Sequence, residues 1–307
     1  MKRIVITGGT GQVGHRLARQ LARNGLSVTA IGSDPAVTVQ VLGNAAASVR
    51  CLAASDHEAV AGALSGADML FHCAFARGHE GHALARSLDY ASGVFSLACA
   101  GGTEAIVNLS SQSVYGSVRA NASTEEDPVN PGDRYALAKY ASERLLAAIA
   151  TGTSTRHTQV RLASLIGDGM DERLVTKFVA QAMAGKPLRI QGGAQRFAFL
   201  DMEDAIAGLA LMTTLPPGDW KPVYNLAPVA DTSLLEIAEA VASGVEVATG
   251  RSVAIEISAE GNQQEAALDG RSFARDFNFV PRRDIHASIA GIIASRDWDA
   301  YSREPVR

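Results

Sequence analysis

A glycine-rich turn between a short apolar strand and a helix constrains this chain more than any other feature of its sequence. The strand is Arg3-Ile4-Val5-Ile6, and the turn that follows reads Thr7-Gly8-Gly9-Thr10-Gly11-Gln12-Val13-Gly14. Apolar residues then recur at helical spacing from His15 to Asn24. Glycines in such a turn permit a tight bend, let the backbone approach a phosphate and allow close packing of helix on strand.

Because a helix N-terminus attracts negative charge, this turn predicts a binding site for the diphosphate of a dinucleotide. The residues expected to contact the dinucleotide here are Gly8, Thr10, Gly11, Gln12, Val13 and Gly14.

Short apolar strands and helical segments alternate after this turn. Further strands are predicted at Leu26 to Ile31, Met69 to Cys73, Ala105 to Leu109 and Thr158 to Leu162, and further helices at His57 to Leu64, Leu88 to Ala100 and Tyr135 to Ala150. Such alternation is typical of βαβ units around a parallel sheet. We therefore predict an α/β fold with a Rossmann-like, doubly wound parallel sheet.

The pattern becomes less regular after Gly167. We predict a dinucleotide-binding domain over residues 1–167, to which the chain returns at about 201–227, and a smaller C-terminal α/β substrate-binding lobe over residues 168–307. A chain of 307 residues with 47% apolar composition is long enough for this arrangement.

Charge and cysteine content argue against several classes of protein. Lys and Arg number 28 against 32 Asp and Glu, and no basic run occurs, so we expect no nucleic-acid partner. No segment resembles a signal peptide or is apolar enough to cross a bilayer, which predicts a cytoplasmic protein without a membrane partner. The three cysteines are widely spaced and odd in number, which favours reduced thiols, and we expect no metal.

The end of the second strand bears on the choice of cofactor. An acidic residue there usually binds the adenosine ribose, but this chain reads Gly32-Ser33-Asp34. Asp34 can reach the ribose and favour NAD, or it can open a turn together with Pro35. Gly32 and Ser33 leave room for a 2′-phosphate, so NAD and NADP both stay open, with NAD favoured.

Tyr135 and Lys139 are one helical turn apart and therefore share a helix face. An ammonium beside a phenol lowers the pKa of the phenol toward the working range of a general base. The run Ser110-Ser111-Gln112-Ser113 follows a strand, at the sheet edge where doubly wound folds bind ligands. A serine there can hydrogen-bond the same substrate hydroxyl as the tyrosine.

In this order, the glycine turn, the serine run and Tyr-x-x-x-Lys resemble the extended short-chain dehydrogenase/reductase family, in particular its NAD-dependent epimerase/dehydratase branch. The resemblance covers nearly the whole chain, with weaker similarities at Arg161 to Gly167 and at Tyr224-Asn225-Leu226. It implies that Tyr135 is the catalytic acid/base, that Lys139 lowers its pKa and binds the nicotinamide ribose, and that Ser111 is the catalytic serine.

The resemblance implies several further roles. It places Cys73, Ala74 and Phe75 along the cofactor, Ala163 near the nicotinamide, and two chains in a homodimer. The loop after Cys73 also holds His79, Glu80 and His82, whose spacing is not that of a zinc-protease helix. Because this loop leaves the sheet beside the nicotinamide, Arg77 and His79 are candidates to face the substrate.

Two departures from the family pattern concern the substrate. The 4,6-dehydratases of this branch carry an Asp-Glu pair after the catalytic Ser or Thr, whereas this chain has Gln112-Ser113, which argues against that activity. Nucleotide-sugar enzymes usually place Asn where Ser164 stands, together with arginines that clamp a diphosphate; Arg196 is one candidate, but residues 259–262 supply no second arginine. The candidate substrate ligands are Ser111, Ser113, Arg77, Ser164 and Arg196.

Three hypotheses follow from the sequence. The first is a sugar or nucleotide-sugar epimerase that removes a hydride transiently at a carbinol carbon, and the second is an NAD(P)-dependent dehydrogenase or reductase of a sugar or another small carbonyl or alcohol substrate. The third is a dinucleotide-sensing regulator without catalysis, which the retained Tyr135 and Lys139 disfavour.

Overall fold

The structure is a computed structural model that describes residues 1–76, 78, 80–116, 121–170, 173–259 and 266–298. In chain order the strands are β1 (Arg3–Thr7), β2 (Ser27–Gly32), β3 (Val49–Ala53), β4 (Met69–His72), β5 (Ala105–Ser111), β6 (Arg156–Leu162), β7 (Ser164–Ile166), β8 (Leu188–Gln191), β9 (Arg196–Phe197), β10 (Phe199–Asp201), β11 (Val223–Leu226), β12 (Thr232–Ser233) and β13 (Ile255–Ser258).

The helices are α1 (Gln12–Arg23), α2 (Pro35–Leu42), α3 (His57–Leu64), α4 (Gly81–Ala100), α5 (Arg134–Ala150), α6 (Leu174–Met183), α7 (Met202–Leu211), α8 (Leu234–Thr249), α9 (Arg271–Asp276) and α10 (Ile285–Ala294).

Seven of these strands form one parallel sheet in the order β3, β2, β1, β4, β5, β6, β11. The chain crosses from one half of the sheet to the other between β3 and β4, so the order reverses beside β1. In doubly wound folds ligands bind at this switch point, outside the carboxyl ends of the strands. The predicted doubly wound parallel sheet is confirmed.

Helices cover both faces of the sheet because successive side chains of a strand point to opposite sides. Ile4 and Ile6 pack in one core with residues of α1 and α7, such as Leu17 and Leu209. Val5, between them, packs on the other side in a core with residues of α3, α4 and α5. Sheet strands buried on both faces read as continuous apolar runs, which is why the sequence showed them clearly.

A smaller α/β lobe has a hydrophobic core of its own. Residues of α6, α8 and α10 pack there with the strand β8, which pairs in parallel with β13. This confirms the smaller C-terminal lobe, whereas the boundary at residue 167 stays a prediction.

Several parts of the fold were not anticipated from the sequence, among them the edge strand β3, the helix α2 and the placement of α9. The helix α2 follows β2 directly, where the sequence indicated at most a turn. The helix α9 returns to the main sheet: Phe273 and Phe277 stack with ring centroids 4.5 Å apart, and both contact Tyr224 of β11 edge-on.

None of the helices in the described parts of the chain is long and apolar enough to cross a membrane.

Candidate active site

The glycine turn at the end of β1 takes a conformation that only glycine fits. Gly8 has φ +73°, and a Cβ there would lie 2.8 Å from the backbone nitrogen of Ala74. A Cβ on Gly14 would lie 2.1 Å from the carbonyl oxygen of Gly8. The turn is closed by Gly11 N–H, which donates to Gly8 O at 2.8 Å. These contacts bring β1, α1 and the end of β4 together at one point.

The N-terminus of α1 suits an anionic ligand. Its N-cap residue, Gly11, has an extended backbone and makes no side-chain capping hydrogen bond. The first N–H groups of a helix have no partner within the helix, so an uncapped N-terminus offers them to a ligand. The donor set fits the diphosphate of a dinucleotide, as predicted from the turn.

The end of β2 differs from the usual dinucleotide site. A Cβ on Gly32 would lie 2.2 Å from Thr38 Oγ1, because the fully buried Thr38 fills the space where an acidic side chain would begin. Asp34 Oδ1 accepts from Ala36 N–H at 2.8 Å and caps α2. Ser33 and Asp34 are both exposed, and a contact of either with a ribose stays a prediction.

Lys139 is buried, and Tyr135 precedes it by one helical turn in α5. Its Nζ donates to Leu109 O at 2.8 Å and lies 4.0 Å from the centroid of the Phe75 ring. The distance from Nζ to the centroid of the Tyr135 ring is 6.0 Å. Phe75 and Tyr135 meet edge-on with centroids 6.2 Å apart, so Phe75 contacts both catalytic candidates.

Burial lowers the pKa of Lys139 from 10.5 to about 7, against smaller raising effects of Cys73 and Glu143. The ammonium, when present, has little competing solvation and is attracted to the ring of Phe75. Burial also raises the pKa of the Cys73 thiol to about 12, which keeps it neutral. The positive charge that can assist Tyr135 is therefore one that titrates near neutral pH.

The serine run lies at the carboxyl end of β5, as predicted. Ser111 Oγ accepts from Ser113 N–H at 3.2 Å and from Ser113 Oγ–H at 2.9 Å. Ser113 is thereby a partner of Ser111 within the turn. Ser110 is only 3% exposed, and its Oγ has no hydrogen-bond partner in the described part of the chain.

The two departures from the family pattern are in contact with each other. Gln112 Nε2 donates to Ser164 Oγ at 2.8 Å, across 52 positions of sequence. Because Ser164 Oγ accepts this bond, its own proton remains available to another acceptor.

One cavity, of about 140 Å³, joins the glycine turn to the catalytic candidates. Its lining consists of Gly11, Gln12, Val13, Gly14, Cys73, Phe75, Leu109, Ser110, Ser111, Tyr135, Lys139, Leu162, Ala163, Leu165, Met170 and Arg173. The structure thus brings the three predicted catalytic residues into one cavity with most of the predicted cofactor ligands.

Other predicted residues of the described chain are not part of this lining: Gly8, Thr10, Ser33, Asp34, Ala74, Ser113, Ser164 and Arg196. Arg77 and His79 lie outside the described residues. Gly8 belongs to the turn itself, and Ala74 borders the turn through the contact given above. Arg173 was not among the candidates predicted from the sequence.

The guanidinium of Arg196 is already bound by a neighbouring residue. Its guanidinium pairs with the carboxylate of Asp231 and also donates to Asp231 O at 2.8 Å. Arg271 and Arg275 pair with the carboxylates of Asp269 and Asp276. Within the described residues there is no group of three His, Cys, Asp or Glu that could hold a metal ion.

A glycine turn with an uncapped helix N-terminus, opening on a cavity with a tyrosine, a buried lysine and a serine, defines a class of protein: dinucleotide-binding folds with a tyrosine-based proton-transfer site. A family model described as NAD dependent epimerase/dehydratase family matches residues 4–227. The chain belongs to the NAD-dependent epimerase/dehydratase family, which confirms the resemblance found in the sequence.

The individual relatives have low sequence identity to this chain. The chain is 26% identical over 212 residues to dTDP-glucose 4,6-dehydratase of Streptomyces griseus, a match that covers 64% of this chain and 61% of that protein, or about three fifths of its length. The fold is similar to the structure of MoeE5 in complex with UDP-glucose and NAD, with a TM-score of 0.77, 22% identity and coverage of 98% and 99% of the two chains. It is also similar to UDP-glucuronic acid 4-epimerase from Bacillus cereus, with a TM-score of 0.78, 18% identity and 99% of each chain covered.

Proposed function

We propose that this protein is a sugar or nucleotide-sugar epimerase that inverts a carbinol carbon with NAD as a retained cofactor. The observation that carries the proposal is the single cavity that joins Tyr135, Lys139 and Ser111 to the glycine turn. The described residues of this cavity supply a proton acceptor, a cation and a hydroxyl, the groups that oxidation of an alcohol requires.

The residues that would hold NAD are those of the turn, Gly11 to Gly14, with Cys73, Phe75 and Ala163 along the nicotinamide side. When bound, NAD supplies a hydride acceptor that can return the hydride to either face of the oxidised carbon. NAD is favoured over NADP because Ser33 and Asp34 bring no cation for a 2′-phosphate.

Side chains of the protein accept and return the proton of the substrate hydroxyl. Tyr135 Oη accepts the proton of the substrate hydroxyl as the carbon is oxidised, and returns it after the ketone has presented its other face. The Lys139 ammonium favours the phenolate of Tyr135 by its charge. Ser111 Oγ, which accepts from Ser113, keeps its own proton to donate to the substrate oxygen.

A 4,6-dehydratase activity is not supported by this site. No Asp or Glu lines the cavity in the described part of the chain. The position after Ser111, where dehydratases of the family carry an acid, holds Gln112, which is bonded to Ser164. Elimination of water needs an acid and a base beyond the tyrosine, and the amide of Gln112 is neither.

A dehydrogenase or reductase is the second candidate function. It would use Tyr135, Lys139 and Ser111 once per turnover and exchange its cofactor with solvent. The observation that favours it is the pairing of Arg196 with Asp231, which leaves the expected clamp on a nucleotide diphosphate incomplete. The retained catalytic trio continues to disfavour a regulator without catalysis. A cytoplasmic homodimer remains part of the proposal, from the family resemblance alone.

The proposal is tested by Tyr135→Phe, which removes the phenol oxygen and leaves the ring that Phe75 contacts. With nucleotide sugars as substrates, we expect the rate of inversion to fall by about 100-fold or more, while NAD affinity changes little. Tyr140→Phe, on the same helix, is the matched control and should keep its rate. An unchanged rate in Tyr135→Phe would remove this tyrosine from the mechanism.

A further inference from the structure

The chain that follows β7 is in close contact with the first turn of α1. Residues 167–170, here called the β7 loop, come directly after that strand. Gly169 has φ +78°, and a Cβ there would lie 2.6 Å from Gln12 Oε1. Gln12 and Met170 both line the cavity that contains the catalytic candidates. The β7 loop is therefore packed against the glycine turn, where we propose that the cofactor binds.

One arginine of α1 binds both the helix and the loop. Arg16 stands one helical turn after Gln12, and its Nη1 donates to Gln12 O at 3.2 Å and also to Gln12 Oε1. Its Nη2 donates to Asp168 O, in the β7 loop, at 3.1 Å and lies 4.0 Å from Asp168 Oδ2. The Arg16 side chain is only 16% exposed, and hydrogen bonds that are shielded from water are electrostatically stronger than exposed ones. Arg16 thus fixes the side chain of Gln12 and the backbone of the loop together.

The carboxylate of Asp168 is also bound from the smaller lobe. Arg296, which follows α10, donates from Nη2 to Asp168 Oδ1 at 3.3 Å. The guanidinium of Arg296 lies over the ring of Trp298, 5.1 Å from its centroid, and Trp298 belongs to the core of the lobe. Asp168 therefore has one arginine partner on the helix of the glycine turn and a second in the lobe. Through these two pairs the β7 loop is attached to both parts of the molecule.

A second acidic partner of Arg16 does not belong to the loop. Glu203, in the first turn of α7, lies 3.6 Å from Arg16 Nε. The two acidic side chains are similarly exposed, Asp168 by 64% and Glu203 by 61%. Because α1 and α7 already pack in one hydrophobic core, the pair with Glu203 supports the packing of helix on helix. The pair with Asp168 acts on the loop, so the two partners separate a general structural role of Arg16 from a role at the cofactor site.

These contacts concern the binding of the cofactor and not the chemical step. Neither Arg16 nor Asp168 is among the described residues that line the cavity. Gln12 is the first residue of α1, at the N-terminus that suits the diphosphate of a dinucleotide. A dinucleotide bound there lies next to the β7 loop and leaves more easily when the loop separates from α1. An epimerase regenerates its cofactor in every turnover, so slow release of the cofactor does not limit its rate.

We propose, on the basis of the proposed function, that Arg16 and Asp168 are positioning residues that hold the β7 loop against α1 and thereby slow the release of the dinucleotide. The contact between them determines how long NAD stays bound. It leaves the proton transfer at Tyr135 unchanged, because neither residue touches the reacting groups.

The rate of NAD release tests this role directly. The protein is saturated with NAD and freed of unbound nucleotide by gel filtration, and an NAD-degrading glycohydrolase is added to destroy NAD as it is released. The NAD that remains bound is quantified by mass spectrometry at successive times. We expect Asp168→Asn to shorten the half-time of release about 2- to 10-fold, the effect of losing two exposed ion pairs. Arg16→Gln should shorten it about 10-fold or more, because a charged hydrogen bond to the loop backbone is lost as well.

Glu203→Gln is the matched control. It removes a carboxylate of similar exposure from the same arginine, outside the loop, and should release NAD at the wild-type rate. Denaturant unfolding of all three variants shows whether the fold itself has changed. In wild type, about 1 M salt should also speed release by screening the exposed pairs of Asp168, whereas in Asp168→Asn the same salt should have little effect.

The inference is overturned if Arg16→Gln and Asp168→Asn release NAD as slowly as wild type, or if Glu203→Gln speeds release as much as Asp168→Asn does. Long retention of NAD by wild type and by all three variants would leave the proposed function standing and overturn only the role of the loop contact. Release from wild type within one turnover, with still faster release from the two loop variants, would support the contact and count against the epimerase.

Discussion

At the scale of single residues, burial of Lys139 lowers the stability of the fold but places a cation beside Tyr135. Burial lowers the pKa of Lys139 to about 7, so the folded protein disfavours the ammonium that the unfolded chain keeps until about pH 10.5. Below pH 7 both states are charged, and the folded state bears the full cost of the buried charge. Between about pH 7 and pH 10.5 that cost shrinks, because the unfolded chain binds more protons than the folded one.

We therefore expect Lys139→Met to raise the free energy of unfolding at pH 6 by a few kcal/mol, since each unit of pKa shift corresponds to about 1.4 kcal/mol. The lost hydrogen bond to Leu109 O reduces this gain by about 1 kcal/mol. Denaturant unfolding at a series of pH values measures the effect, which should decline toward pH 10, while inversion of the sugar is lost.

Lys186→Met, at an exposed position, serves as the control and should leave stability unchanged at every pH. A Lys139→Met protein that is less stable than wild type at pH 6 would contradict the account of a costly buried ammonium.

The residues of the site differ in how far the sequence could predict them. Tyr135 and Lys139 share a helix face by spacing alone, so local pattern was sufficient. The contact of Gln112 with Ser164 spans 52 positions and depends on how β5 and β7 are placed. Arg173 reaches the cavity through the loop after β7, and no local pattern distinguishes it from an ordinary surface arginine at a helix start.

At the scale of elements, the first βα unit determines where the cofactor can bind. Gly14 stands in the first turn of α1, where its missing Cβ lets the helix pack against the carbonyl of Gly8. The helix N-terminus is then directed at the cavity without a side-chain cap. Anything that pushes α1 away from β1 should weaken both the fold and dinucleotide binding.

Gly14→Ala is the sharpest test of this packing. Its Cβ would lie 2.1 Å from Gly8 O, so the helix or the turn must move. We expect a loss of about 1–3 kcal/mol in the free energy of unfolding, the range for overpacked sites, and at least a tenfold loss of NAD affinity measured by fluorescence titration.

Gly62→Ala is the matched control, because a Cβ at this exposed position of α3 meets no atom within 4 Å. It should stabilise the protein by about 0.4–1 kcal/mol and leave NAD binding unchanged. Normal NAD affinity in Gly14→Ala would show that the turn does not hold the cofactor.

The elements that the sequence did not reveal have identifiable causes. The helix α2 has Pro35 at its first position and is capped by Asp34, and the same Asp-Pro pair also favours a simple turn. The helix α9 is only six residues long, and its place under β11 depends on stacking of Phe273 with Phe277. Short elements fixed by tertiary contacts carry little periodic signal.

At the scale of the whole molecule, the cavity lies between the main sheet and the smaller lobe. Arg173, which stands directly before α6, reaches it from the lobe side, and the glycine turn and α5 reach it from the sheet side. The buried Asp201 caps α7 and accepts from Ser288 Oγ of α10 at 2.8 Å. Because α7 packs on the main sheet and α10 in the core of the lobe, this bond ties the two parts together.

The central claim is that the nicotinamide dinucleotide is a resident cofactor that takes a hydride and gives it back. The most direct measurement is to denature the protein as purified, without added cofactor, and to identify and quantify the released nucleotide by chromatography and mass spectrometry. We predict close to one NAD(H) for each chain. An empty site that binds NADPH or NADH reversibly would contradict the claim and make the reductase the better account of this site.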